Sequence, residues 1–226
     1  MKKLLTTLLL ALLTPGAQAA DDKMLFAEYR VVSADLAASS PEAQPRKIWR
    51  LGEEFLRFED IPNPTTKAHI LIIVHEPDIW IIDRNKNQGQ HTVDPGPQYA
   101  VHFPIFPREA SEKLKKLEFG SELKFFQDSG ATELPLQTVD GIKCKLYRLK
   151  LDDREVTLFL KPDNVPLQIE MQSAGVKYAV RFLKYDPDQK PDMNLFKVPS
   201  GIKIIGASKP LPVVNVKGIV TASVLT

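Results

Sequence analysis

Four histidines are the residues of this sequence best suited to metal binding or proton transfer, and they stand at positions 69, 75, 91 and 102. His69 and His75 are six residues apart, so on a strand their side chains would share one face. Neither a His-Glu-x-x-His pattern nor a short cluster of His and Cys accompanies them, although zinc sites are usually built from such spacings. We therefore expect no metal ion and no cofactor.

Patterns typical of nucleophilic catalysis are also missing. The sequence contains no Gly-x-Ser-x-Gly elbow and no glycine-rich phosphate loop. Cys144 is the only cysteine, so no internal disulfide can form, and no second thiol is present to resolve an oxidised one. We predict that Cys144 is a buried apolar residue of a strand over residues 142–151, and that the protein is not an enzyme.

Short alternating segments dominate the sequence and predict a mainly β protein. Apolar residues alternate with charged ones over residues 25–31, which is the period-two pattern of a half-buried strand. Residues 47–51 and 55–59 flank Gly52, which suits a tight turn. The apolar run over residues 69–75 meets residues 79–83 across Glu76-Pro77-Asp78, and this predicts a hairpin covered on both faces.

The clearest alternation lies in the second half of the sequence, over residues 165–171 and 176–182. Ser173-Ala174-Gly175 connects these two predicted strands. A preceding strand over residues 156–160 turns at Pro162-Asp163-Asn164, residue types that favour turns. Together these segments predict an antiparallel meander, with exposed loops at residues 34–45 and 186–194.

One segment after the N-terminal region has the periodicity of a helix. Pro107 suits the first helical position, Ala110, Leu114 and Leu117 recur at helical spacing, and Gly120 suits the end. The preceding apolar segment, residues 103–107, contains two prolines and cannot form a regular ladder. We expect it to cover the sheet, either as ordinary core or as a lid over a cavity.

The N-terminal 19 residues have the features of a cleaved secretory signal peptide. Lys2 and Lys3 precede an apolar run over residues 4–13, and Ala17-Gln18-Ala19 suits the cleavage site. No cysteine stands directly after the run, at the cleavage site, so a lipid-anchored mature protein is not expected, and we predict a periplasmic location. Removing the two lysines from the 30 Lys and Arg leaves 28, equal to the 28 Asp and Glu. This balance gives no support for a nucleic-acid partner.

We expect one β domain over residues 20–206. Beyond it, residues 207–226 are rich in β-branched side chains. They suit a last edge strand, buried against the sheet, or a C-terminal tail.

Three segments of the sequence resemble the corresponding parts of the Lol-type periplasmic lipoprotein carrier superfamily. They are residues 52–59, the strand containing Trp80, and residues 195–202, which read Leu-Phe-Lys-Val-Pro-Ser-Gly-Ile. The resemblance implies a curled antiparallel sheet, or half-open β-barrel, with one or a few covering helices and an apolar cavity for acyl chains. In that family an arginine on an early strand helps to hold the lid shut, and Arg57 stands at the matching place.

A curled sheet has a concave apolar face that only helices, loops or a ligand can cover. The residues expected to line it are Tyr29, Trp49, Phe58, Trp80, Leu158, Ile169, Met171, Tyr178 and Phe182. The residues expected to contact the lid are Arg57, Phe103, Phe106 and Leu114. Each apolar position on these lists also suits plain core packing.

Two classes of function are compatible with these features. In the first, the protein binds a lipid or a lipidated protein in the cavity and acts in envelope lipid or lipoprotein trafficking or sensing. In the second, it is an envelope protein-interaction module, without a ligand cavity, that adds a strand through a sheet edge or through residues 207–226. A hydrolase that depends on a histidine is the third and least supported class.

Overall fold

A computed structural model describes residues 23–63, 67–106, 111–151, 154–173 and 175–205 of the protein. The predicted signal peptide and the C-terminal segment 207–226 lie outside the described residues. Within these ranges the chain forms one antiparallel sheet with a short parallel strand at one edge. Its strands are β1 (Met24–Ser33), β2 (Arg46–Leu51), β3 (Phe55–Glu59), β4 (Ile70–His75), β5 (Asp78–Asp83), β6 (Gln88–Val93), β7 (Thr132–Val139), β8 (Ile142–Leu151), β9 (Arg154–Leu160), β10 (Pro166–Ser173), β11 (Val176–Gln189) and β12 (Lys203–Ile204).

The spatial order of the strands is β12-β6-β5-β4-β3-β2-β1-β11-β10-β9-β8-β7. Two meanders, β1 to β6 and β7 to β11, therefore meet where β1 pairs with β11. The sheet curls without closing, since β12 and β7 are its two edges in the described residues. The predicted fold class, a mainly β curled antiparallel sheet with a covering helix, is confirmed.

The β1–β11 junction corrects one predicted loop. Residues 186–189 belong to β11, because Asp186 pairs with Phe26 and Gln189 pairs with Met24. Pro187 lies at an irregularity in this pairing. A proline has no N–H to donate to a ladder, so it is tolerated at such a break. Because a proline usually argues against a strand, the sequence predicted a loop here.

The predicted helix over residues 107–120 is wrong in the part that the structure describes. Only a single 3-10 turn forms there, at Leu114–Lys116. The next residues are extended, and Glu118 forms a bridge with Pro104. The α-helix of the described residues, α1 (Glu122–Asp128), begins after Gly120 rather than ending there. The signal for it is Ser121-Glu122, residue types favoured at a helix start, followed by two phenylalanines.

Apolar side chains pack on both faces of the sheet. The concave, or inner, face carries one large cluster that includes residues of both meanders. Three smaller clusters lie on the outer face, and residues 195–202 pack on two of them. Cys144 is fully buried in the third, beside Leu146 and Phe159, so its predicted burial in β8 is confirmed.

Candidate functional site

Alternation along the strands brings most of the predicted lining residues together on the inner face. Tyr29, Phe58, Leu158, Ile169 and Phe182 are all buried members of the inner cluster. Met171 and Tyr178 are half-buried against it. These residues of both meanders therefore share one apolar surface, and whether they contact a ligand stays a prediction.

Trp49 and Trp80, in contrast, lie on the outer face. Trp49 packs with Met24, Leu51 and Phe196, and Trp80 packs against Leu71, Ile73 and Ile82. The residue before each tryptophan, Ile48 or Ile79, is also apolar and lies on the inner face. Because both faces of these strands are apolar, hydrophobicity does not say which residue is on the inner face, and the prediction for both tryptophans was wrong.

The inner face is covered by the chain that runs from β6 to β7, and we call residues 94–106 and 111–131 the cover. We call these two ranges its first and second arms. A backbone hydrogen bond connects the arms, since the Ile105 N–H donates to the carbonyl of Leu117 at 2.8 Å. Its buried apolar residues all belong to the inner cluster. They are Val101, Ile105, Phe106, Leu114, Leu117, Phe119, Phe125 and Phe126.

Phe119 is the centre of this packing. Its ring centroid lies 4.7 Å from that of Tyr29, 6.2 Å from that of Phe103 and 6.1 Å from that of Phe182. Phe103 in turn packs on Phe58 at 5.2 Å. Phe119 is 1 % exposed, so its ring fills the space between these side chains on the inner face, and we call it the plug. No sequence pattern had indicated it.

The predicted lid residues Phe103, Phe106 and Leu114 all lie in the cover and pack on the inner cluster. Phe106 is buried with its ring 5.7 Å from that of Tyr178. Leu114, on the 3-10 turn, is fully buried. Phe103 is half-buried between the sheet and Phe119.

Arg50 is the polar residue that fastens the cover to the sheet. Its Nη1 lies 2.6 Å from Oε2 of Glu118, and its Nη2 donates to the carbonyl of Val101 at 3.1 Å. The Arg50 and Glu118 side chains are 16 % and 10 % exposed, so this charge-assisted contact is largely shielded from solvent. His102 Nδ1 lies 2.8 Å from the other Glu118 oxygen.

Arg57, which the resemblance suggested for this role, lies on the outer face. Its guanidinium donates to the carbonyl of Leu195 at 3.0 Å, contacts Glu59 at 3.0 Å and lies over the Trp49 ring at 5.6 Å. Burial raises the pKa of Glu59, but Arg57, Arg84 and His69 outweigh it and hold the pKa below the usual range. Arg57 therefore holds the segment around Leu195 rather than the cover. In the β2–β3 hairpin Arg50 pairs with Leu56 and Trp49 pairs with Arg57, so the two arginines lie on opposite faces of the sheet.

A buried carboxyl group lies beneath the start of α1. Glu122 is 2 % exposed, and its Oε2 accepts hydrogen bonds from the Tyr185 hydroxyl at 2.7 Å and from the Gly120 N–H at 3.1 Å. Its Oε1 has no hydrogen-bond partner among the described residues. Burial raises the pKa of Glu122 from 4.5 to about 7, against the lowering effect of these hydrogen bonds.

We expect Glu122 to make the stability of the protein depend on pH. The carboxyl pKa is higher in the folded than in the unfolded chain, so its contribution is complete below pH 4.5 and is lost as the pH rises through about 7. Between about pH 5.5 and about pH 8.5 the wild type should lose about 2 kcal/mol more of its free energy of unfolding than Glu122→Gln. Urea unfolding followed by tryptophan fluorescence at both pH values measures this difference.

Glu112→Gln is the matched control, because the Glu112 side chain is 84 % exposed and should keep the wild-type pH dependence. If the wild type and Glu122→Gln lose the same free energy of unfolding between the two pH values, Glu122 is not the source of the pH dependence.

The described residues contain no group of three or more His, Cys, Asp or Glu side chains that could hold a metal ion. His69 lies near Glu59, His91 near Asp78 and His102 near Glu118, as separate pairs. No helix in the described part of the chain is both long and apolar enough to span a membrane.

The fold and site thus define a curled antiparallel sheet whose concave face is plugged by its own β6–β7 connection. No protein-family model matches the chain, and no curated protein matches it. Solved structures of similar fold include an uncharacterized conserved protein of Thermus thermophilus. It has a TM-score of 0.49 and 11 % identity, over 81 % of this chain and 90 % of that one.

Two further structures belong to named proteins. The lipoprotein LppX of Mycobacterium tuberculosis has a TM-score of 0.39 and 8 % identity over 75 % of this chain and 90 % of that one. MucB in complex with MucA has a TM-score of 0.43 and 9 % identity over 82 % of this chain and 57 % of MucB. These likenesses concern the general course of the chain.

Proposed function

We propose that the protein is a periplasmic binding protein that holds an acyl chain of a lipid or lipidated protein between the inner face of the sheet and the cover. The observation that carries the proposal is the Phe119 plug. A ring on a connecting segment fills the concave face, and the segment is fastened at its rim by Arg50. An acyl chain offers the same kind of surface as this plug, so it can replace the ring without exposing the sheet to water.

The composition of the inner face favours binding over catalysis. The side chains that meet between sheet and cover are mostly aliphatic or phenyl groups, which bind apolar matter but transfer no proton. Burial raises the pKa of Tyr29, a phenol on this face, well above its usual range. We therefore propose that no reaction is catalysed there.

The test is native mass spectrometry, with lipid extraction, of mature protein purified from the periplasm without detergent. We expect a co-purifying phospholipid or acylated peptide, which would also identify the cargo class. A clean apo mass, in a protein that also takes up no added lipid, would contradict the proposal.

A second candidate, an envelope protein-interaction module, is favoured by the edge strand β7. This strand pairs only with β8 in the described residues, and Leu136 on it is 55 % exposed. An open edge of this kind can accept an added strand. Under this alternative, deleting residues 207–226 or altering β7 should abolish capture of a protein partner while binding of an apolar dye stays unchanged.

A further inference from the structure

A pocket of about 530 Å³ opens at the rim where the cover meets the start of the sheet. It lies between the first residues of β1, the β2–β3 turn, both arms of the cover and the irregular part of β11. Its lining residues are Lys23, Leu25, Arg50, Gly52, Glu53, Ala100, Val101, His102, Lys115, Lys116, Glu118, Phe119, Gly120, Ser121 and Pro187.

The floor of the pocket is apolar and continuous with the inner cluster. Leu25, Val101 and Phe119 line the pocket and are also buried members of that cluster. Phe119 is the plug of the concave face. A ligand in this pocket therefore has direct access to the space that the plug occupies.

The rim of the pocket is predominantly cationic. Lys23, Arg50, Lys115 and Lys116 line it, against two carboxylates, Glu53 and Glu118. Arg50 contacts Glu118 at 2.6 Å, so these two charges compensate each other, and the three lysines outnumber the remaining carboxylate of the lining, Glu53.

The lysine ammonium groups can exchange their present partners for a ligand. Lys23 pairs with Asp188 at 2.8 Å, and the two side chains are 62 % and 60 % exposed. Lys115 pairs with Glu112, which is exposed. Solvent-exposed ion pairs of this kind contribute little free energy, so an anion held by several cations at once competes with them.

We infer that this pocket binds the phosphate of an anionic lipid headgroup while the acyl part of the same molecule enters the inner face past Phe119. The inference rests on the proposed function and specifies its ligand as an anionic amphiphile. The cationic rim and the apolar floor of the pocket are adjacent. In a phospholipid the anionic phosphate and the apolar acyl chains are likewise adjacent, so one such molecule can contact both parts of the pocket. Lys115 and Lys116 belong to the cover, so the headgroup would contact the same segment that must move to admit the chains.

The experiment measures binding of dihexanoyl phosphatidylglycerol and of uncharged dihexanoylglycerol to the mature protein by calorimetry. The variant is Lys115→Glu/Lys116→Glu, and the control is Lys143→Glu, which alters an exposed lysine of β8 outside the pocket. We expect the variant to bind the phosphatidylglycerol about tenfold more weakly and the uncharged lipid as the wild type does, with the control unchanged. Added salt should weaken binding of the phosphatidylglycerol and leave binding of the uncharged lipid unchanged.

The outcomes separate this inference from the function on which it rests. Equal binding of both lipids by the wild type, with no effect of the variant, would overturn the inference and leave acyl binding intact. No binding of either lipid would overturn both. If inorganic phosphate alone binds as tightly as the lipid, the pocket takes a free anion and the headgroup assignment is wrong. Lys116 is exposed, so Lys116→Glu alone serves if the double variant does not fold.

Discussion

Replacing Arg50 with leucine should lower the free energy of unfolding by about 3 kcal/mol, because the largely buried Glu118 carboxylate would lose its guanidinium partner. The cover should then detach more often, since the same guanidinium donates to the Val101 carbonyl. Urea unfolding measures the first effect. Amide hydrogen exchange measures the second, as faster exchange over residues 111–131.

Arg57→Leu is the matched control for Arg50→Leu. Arg57 is similarly buried, with a 12 % exposed side chain, and also pairs with a glutamate on its own face. Glu59 keeps Arg84 and His69 as partners when Arg57 is removed, so the loss of stability should be smaller. Exchange should change near residue 195 and not in the cover. Unchanged exchange of the cover in Arg50→Leu would contradict the role of Arg50 as its fastening.

The loss of stability in Arg50→Leu could come from lost packing of the arginine or from the unpaired charge of Glu118. The double variant Arg50→Leu/Glu118→Leu distinguishes these two causes. Two apolar side chains would meet where the ion pair stood, and such replacements of buried pairs are often neutral. We expect it to regain most of the stability that Arg50→Leu loses. If it is no more stable than the single variant, the uncompensated carboxylate is not the cause of the loss.

Truncating Phe119 to alanine should destabilise the protein by about 3 to 4 kcal/mol and at the same time strengthen acyl-chain binding. The ring is 1 % exposed and packs on Tyr29, Phe103 and Phe182, so its removal leaves a void in the inner cluster. An apolar void binds apolar ligands. Under the proposed function the chain no longer has to displace the plug, and a fluorescent fatty acid should bind about tenfold more tightly.

Phe159→Ala provides the comparison for Phe119→Ala. Phe159 is 5 % exposed and packs with Cys144, Leu146 and Leu167 in an outer cluster. Its truncation should cost similar stability without improving fatty-acid binding. An equal gain of fatty-acid affinity in both variants would indicate that any destabilisation of the core increases binding. No gain of affinity in Phe119→Ala would contradict the proposal that an acyl chain takes the place of the Phe119 ring.

The strands were predictable because half-buried strands keep a strict period of two. The alternation in β1, β10 and β11 identified them as strands, and the turn residues between them identified the meander. The cover was less predictable. Leu114 and Leu117 have helical spacing and are both buried, yet Glu118 pairs with Pro104 across the two arms, and this long-range contact replaces the helix.

The sequence by itself determined a mainly β chain with a two-sided apolar sheet and an apolar connection to cover it. Only the tertiary structure decided which side of each strand is concave. In β2 both Ile48 and Trp49 are apolar, so alternation separates their faces without saying which is inner. Residues 195–202 pack on the Trp49 side and the cover packs on the Ile48 side, so Arg50 rather than Arg57 holds the cover. Local periodicity contains no information about distant partners, and those partners decided the site.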